Sequence, residues 1–183
     1  MSESASDAAE AGAPSRGPGA RTGLPGLVAR IAEGWALLGG LSLLAVVLIN
    51  TASVTGAAVL NEPVPGDFEL TEMGICIAAF MFLPYCQMTG ANVTADIFTQ
   101  NAGRRWLAVF AAAASTVAAL FGALMLWRMY AGMLDQLEYG YVTTILEIPH
   151  GWAFVPILAS LALLTLCALT TLSEAIRDMR PAR

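Results

Sequence analysis

The chain has 183 residues, 57% hydrophobic and 13% charged, with a net charge of −5. Soluble domains carry about 25% charged residues, so the composition excludes an ordinary water-soluble domain and the length reads as one membrane domain. The basic residues are all Arg and form no patch away from the apolar runs, which excludes nucleic acid as a partner.

Residues 1–22 are rich in Ala, Gly, Ser and Pro, with acids first and Arg later. They cannot bury enough apolar surface to offset the entropy of ordering, and are expected to form a disordered cytoplasmic tail. No apolar core follows Met1 at the distance a signal peptide needs. The membrane domain is expected over residues 23–179. Leu24, Leu27, Val28 and Ile31 share one helical face and predict a lead-in lying along the membrane surface. Spans are then expected at about 35–60, 69–88, 106–129 and 152–172. Each has the roughly 20 apolar residues that a helix needs to cross a ~30 Å hydrocarbon core.

The segments between the spans carry turn residues: Pro63, Pro65 and Gly66; Gly90, Asn92, Asn101 and Gly103; Gly140, Pro149 and Gly151. Pro84 removes a helical hydrogen bond to the Phe80 carbonyl and predicts a kink. Between the third and fourth spans, Tyr130, Met133, Leu134, Leu137 and Tyr141 alternate with Asp135, Gln136 and Glu138 at helical spacing. This predicts an amphipathic helix that extends the third span and bends into the interface. The expected fold class is therefore all-α integral membrane, with four transmembrane helices and an interfacial helix between spans three and four. Residues 180–183 form a short cytoplasmic tail.

The Arg residues set the orientation. Arg16, Arg21 and Arg30 precede the first span, Arg104 and Arg105 lie between the second and third, and Arg177, Arg180 and Arg183 follow the fourth. Only Arg128 stands apart, at the edge of the third span. The positive-inside rule places both termini in the cytoplasm. The opposite, periplasmic face carries Glu62, Asp67, Glu69, Glu72, Asp135, Glu138 and Glu147. Trp35, Trp106, Trp127 and Trp152 fall at or near span ends, where an indole ring is favoured.

The spans show little chemistry of their own. No Asp, Glu, Arg or His falls near the middle of an expected span, whereas ion-coupled sites place ionisable groups or unwound helix there. The milder polar residues at depth are Asn50, Ser53, Thr55, Ser115, Thr116, Ser160 and Thr165. The single His, His150, cannot supply a bis-His haem site within the spans. Cys76, Cys86 and Cys167 lie in apolar runs, with neither a disulfide framework nor metal-ligand spacing. No catalytic, cofactor-binding or metal-binding residue is expected.

Small residues are the more informative signal. Ala114, Ala118 and Gly122 recur at i, i+4 and i+8; Gly39, Gly40, Ser42, Ala45, Ser53, Gly56 and Ala57 mark the first span. Such stripes let backbones approach closely where lipid supplies no hydrophobic drive. They fit either packing within the chain or docking of a second membrane subunit. Asp67, Glu69 and Glu72 open the second span, where the helix dipole favours acids and Asp67 suits an N-cap; contact with a periplasmic partner is the other reading.

Three stretches carry a family resemblance: Pro65-Gly66-Asp67-Phe68-Glu69-Leu70, Phe80-Met81-Phe82-Leu83-Pro84-Tyr85 and Asn92-Val93-Thr94-Ala95-Asp96-Ile97-Phe98. Together with Leu146-Glu147-Ile148-Pro149-His150-Gly151-Trp152 before the last span, they resemble the small membrane subunits, DctQ type, of tripartite ATP-independent periplasmic (TRAP) transporters. The chain departs from many members in carrying Asn92 where they have His. The resemblance implies a non-catalytic subunit in the bacterial inner membrane. Its partners would be a large DctM-type permease, which carries substrate and sodium, and a periplasmic solute-binding protein. The substrate would be an organic anion such as a carboxylate. The competing reading is a four-span membrane anchor of another multi-protein complex, such as a redox complex.

Overall fold

The computed structural model describes residues 23–89 and 104–179, apart from the side chains of 104–108 and 178–179. The Asn92–Phe98 stretch, the Trp106 side chain and both expected tails lie outside this description. The described residues form four helices: α1 Leu24–Leu60, α2 Asp67–Thr89, α3 Arg104–Tyr139 and α4 Gly151–Met179. All four are long and apolar enough to cross a membrane.

Local chemistry sets the helix ends. Pro25 sits in the first turn of α1, where a missing N–H costs nothing. Asn61 ends α1 in the left-handed conformation at φ 59°, and the Glu62 N–H returns to the Gly56 carbonyl at 3.4 Å. Pro63 and Pro65 then prevent the helix from resuming. Pro84 and Pro156 both lie inside helices, and Pro84 is fully buried.

Two expectations differ from the structure. The segment from Leu24 to Ile31 is the first part of a continuous 37-residue α1. Ala29 and Ala32 are buried there against Met88 and Cys167, so this part of the helix packs on the bundle. The interfacial helix between spans three and four does not form as a separate element. Residues 130–139 continue α3, a single 36-residue helix. No Pro or left-handed residue interrupts the run until Gly140, at φ 61°, and the amphipathic pattern alone gives a helix no reason to bend.

The helices pack in a row. α1 lies on α2, α2 on α4 and α4 on α3, with a lesser contact between α1 and α4. Contacts of α3 with α1 or α2 are marginal at most. Small residues make the seams. A β-carbon on Gly39 would stand 3.0 Å from Met81 Cβ, and one on Gly74 2.4 Å from Val46 Cγ2. At such separations dispersion can hold helices together in lipid. A second cluster, Ile157, Leu161 and Leu164, packs with Phe80, Met125, Leu126 and Met129 across α2, α3 and α4.

Trp35 lies eleven residues into α1, and its indole Nε1 donates to Ser160 Oγ of α4 at 2.8 Å. Ser160 is buried and donates in turn to the Pro156 carbonyl at 2.7 Å. The pair joins α1 to α4 inside the bundle and satisfies an N–H that apolar surroundings would otherwise penalise.

Candidate functional site

The polar residues gather at the end where α1 finishes and α2 and α4 begin. They form a ladder up the α1–α2 seam. Asn50 Nδ2 donates to Thr71 Oγ1 at 2.6 Å and to the Val46 carbonyl at 3.0 Å. Thr71 Oγ1 donates to the Asp67 carbonyl at 2.7 Å. Ser53, buried, donates its hydroxyl to Asp67 Oδ2 and accepts the Val64 N–H at 3.2 Å. Asp67 Oδ1 accepts the neighbouring Phe68 N–H at 2.7 Å. Asp67 is thus the first residue of α2, tying its opening turn to α1.

Glu69 performs the matching task toward the other loop. Its two carboxylate oxygens accept the N–H groups of Ile145 at 2.7 Å and Leu146 at 3.0 Å. That loop is held in shape by a Val142–Pro149 bridge, by Thr143 N–H to the Ile148 carbonyl, and by Ile148 N–H to Thr143 Oγ1. Leu146 closes over Gly66, whose φ is 75°. A carboxylate binding two consecutive backbone N–H groups is a charge-assisted clamp. Here it docks the α3–α4 loop on the start of α2.

The residues expected to meet a partner fall into two groups. Asp67 and Glu69 are engaged within the chain, as above, while Glu72 is exposed. Gly122 is buried, and a β-carbon there would stand 2.8 Å from Thr165 Oγ1 of α4. A β-carbon on Gly56 would stand 2.8 Å from the Glu62 carbonyl oxygen. Both glycines are therefore covered by the chain itself. Ala118 is half-buried and Ala114 is exposed. The stripe of three thus rotates from the α4 seam at Gly122 to the open side at Ala114.

Two broad apolar faces remain open. Leu37, Leu41, Leu44 and Leu48 form one on α1; Val117, Phe121 and Leu124 belong to the other on α3. At the loop end, Glu62, Glu72, Asp135, Glu138 and Glu147 are exposed and give that end an acidic surface. Among the described residues, no three His, Cys, Asp or Glu side chains gather as a metal site would require.

Sequence reasoning missed several of these residues. Ser53 was one mild polar residue among many, and Gly74 was not singled out, although Gly74 and Ala78 have the i, i+4 spacing of a close helix contact. Arg128 was placed at the edge of the third span because that span was ended at 129. In the structure α3 runs on to Tyr139, eleven residues beyond Arg128.

The sequence profile of the DctQ component of tripartite ATP-independent periplasmic transporters matches residues 46–178. The match takes in the last part of α1, all of α2 and α3, and nearly all of α4. No curated protein and no solved structure matches the chain significantly.

Proposed function

This chain belongs to the DctQ component family of tripartite ATP-independent periplasmic transporters, and on that premise we propose that it is the scaffold subunit of a sodium-coupled importer of an organic anion such as a carboxylate. The observation that carries this reading is the family match along a multi-pass membrane protein of four apolar helices. A transporter component, rather than an enzyme, accounts for a chain whose polar groups are largely engaged in tying helices and loops together. The open faces of α1 and α3 offer apolar surface to a large DctM-type permease and to the bilayer.

The Arg distribution supports a location in the bacterial inner membrane with both termini cytoplasmic. In that orientation the loop end is periplasmic. Glu72 and the exposed acids around it are then the side chains available to a periplasmic solute-binding protein. Asp67 and Glu69 act behind them by fixing the two loops that form this surface. Ala114 contributes on the open side of α3, and Gly56 and Gly122 act through the chain's own packing. The fixed arrangement of helices fits a support against which the large permease moves its substrate.

The test is co-expression with the large permease gene of the same transporter. The two proteins should purify as one complex through a tag on either. A large permease that purifies without this chain, and transports without it, would overturn the reading.

A further inference from the structure

We propose that Arg128 pairs, within the membrane, with a carboxylate of the large permease; the inference rests on the function proposed above and adds the face and the charge through which the two subunits meet. Two contacts fix the level of Arg128. A β-carbon on Gly122 would stand 2.8 Å from Thr165 Oγ1, and one on Gly132 3.6 Å from Phe154 Cε1. Arg128 lies between these levels, beside the part of α4 from Phe154 to Thr165, which contains no charged residue. The start of α4 packs at Gly151 against Leu137. Arg128 is nine residues inward of Leu137, or about 13 Å along the helix axis.

The side chain also faces outward. Val117, Phe121, Leu124, Arg128 and Asp135 share one face of α3, and all are exposed. Ser115 and Gly122, on the packed side, are buried. Among the described residues α3 packs chiefly on α4, and Arg128 forms no ion pair among them. A guanidinium on an apolar outer face at this level of the helix favours a counter-charge, and an ionisable residue inside a membrane points to a functional contact.

The charges on the same helix favour a protein partner over a lipid phosphate. Reaching toward the headgroups would carry the guanidinium toward the loop end of α3, and snorkelling recovers only part of that distance. Asp135 stands on the same face on the way, with Glu138 beyond it. Both repel a phosphate at that level. A helix of the large permease can instead present an Asp or Glu at the depth of Arg128 and cover Val117, Phe121 and Leu124 as it does so.

The experiment uses the complete complex, purified through a tag on the large permease. The variants are R128K, R128Q and R128L, together with a photo-crosslinking amino acid at Leu124. R128L and R128Q should lower recovery of the complex at least tenfold, while the variant chains expressed alone are recovered as the wild type is. R128K should keep most of the complex, and the crosslinker at 124 should capture the permease. Recovery of the R128L complex at the wild-type level overturns the proposal and assigns this face to lipid. If R128L instead lowers the yield of the chain by itself, the crosslink decides: capture of the permease supports the contact, and its absence overturns it. Failure of the wild-type chain to purify with the permease is a different result, and overturns the proposed function together with this inference.

Discussion

Leu146 lies against the backbone of Gly66: a β-carbon built on Gly66 would stand 2.4 Å from Leu146 Cγ. The glycine is required twice over, because its φ of 75° is also one that side chains disfavour. Three residues further on, Glu69 binds the Ile145 and Leu146 N–H groups. The loops at this end of the bundle are therefore locked by contact and by charge at adjoining points.

Replacing Gly66 with Ala should destabilise the isolated chain more than the same change at Gly140. Both have positive φ, and a left-handed conformation costs a non-glycine residue about 1–2 kcal/mol. Only Gly66 adds a steric conflict, since nothing lies within 4 Å of a β-carbon on Gly140. Thermal unfolding in detergent should show a larger drop in Tm for G66A. Equal drops would mean that Leu146 does not rest on Gly66.

The Glu69 clamp predicts a local effect. In E69A, the amides of Ile145 and Leu146 should exchange with deuterium several-fold faster, while amides in the middle of α4 keep their wild-type rates. Unchanged exchange at Ile145 and Leu146 would show that the loop is held by its own internal bonds and not by Glu69.

Gly122 and Ala114 separate packing inside the chain from packing outside it. G122L would drive a side chain into Thr165, and overpacking of this kind costs about 1–3 kcal/mol. The chain expressed alone should lose stability. A114L, on the open side, should leave the isolated chain as stable as the wild type. A stable G122L would contradict the α3–α4 seam.

The helices were readable from the sequence because hydropathy over some twenty residues is a strong signal, and all four expected spans lie within the four helices found. Their ends were less readable. The third span was ended where polar residues begin, whereas the helix continues until Gly140 supplies a left-handed turn, so Arg128 lies within α3 and not at its end. The bond from the Trp35 indole to Ser160 spans 125 positions and has no signature in one dimension. The acids at the loop end were recognised as a group. That Asp67 and Glu69 serve Ser53, Ile145 and Leu146 depends on contacts across up to 77 positions, which no local pattern encodes.

Orientation can be tested with single cysteines in a background where Cys76, Cys86 and Cys167 are replaced by Ser. V64C and E138C should react with a membrane-impermeant thiol reagent added from the periplasm, and N101C should react only after the membrane is opened. The reverse pattern would invert the assignment drawn from the Arg residues.

On the proposed function, this chain is a necessary component of a carrier and not a carrier by itself. The direct measurement is sodium-driven uptake of a radiolabelled organic acid into proteoliposomes, supplied with the solute-binding protein of the same transporter. Liposomes holding both membrane proteins should accumulate the acid; those holding this chain alone should match empty liposomes. Uptake by this chain alone, or full uptake by the large permease without it, would contradict the account.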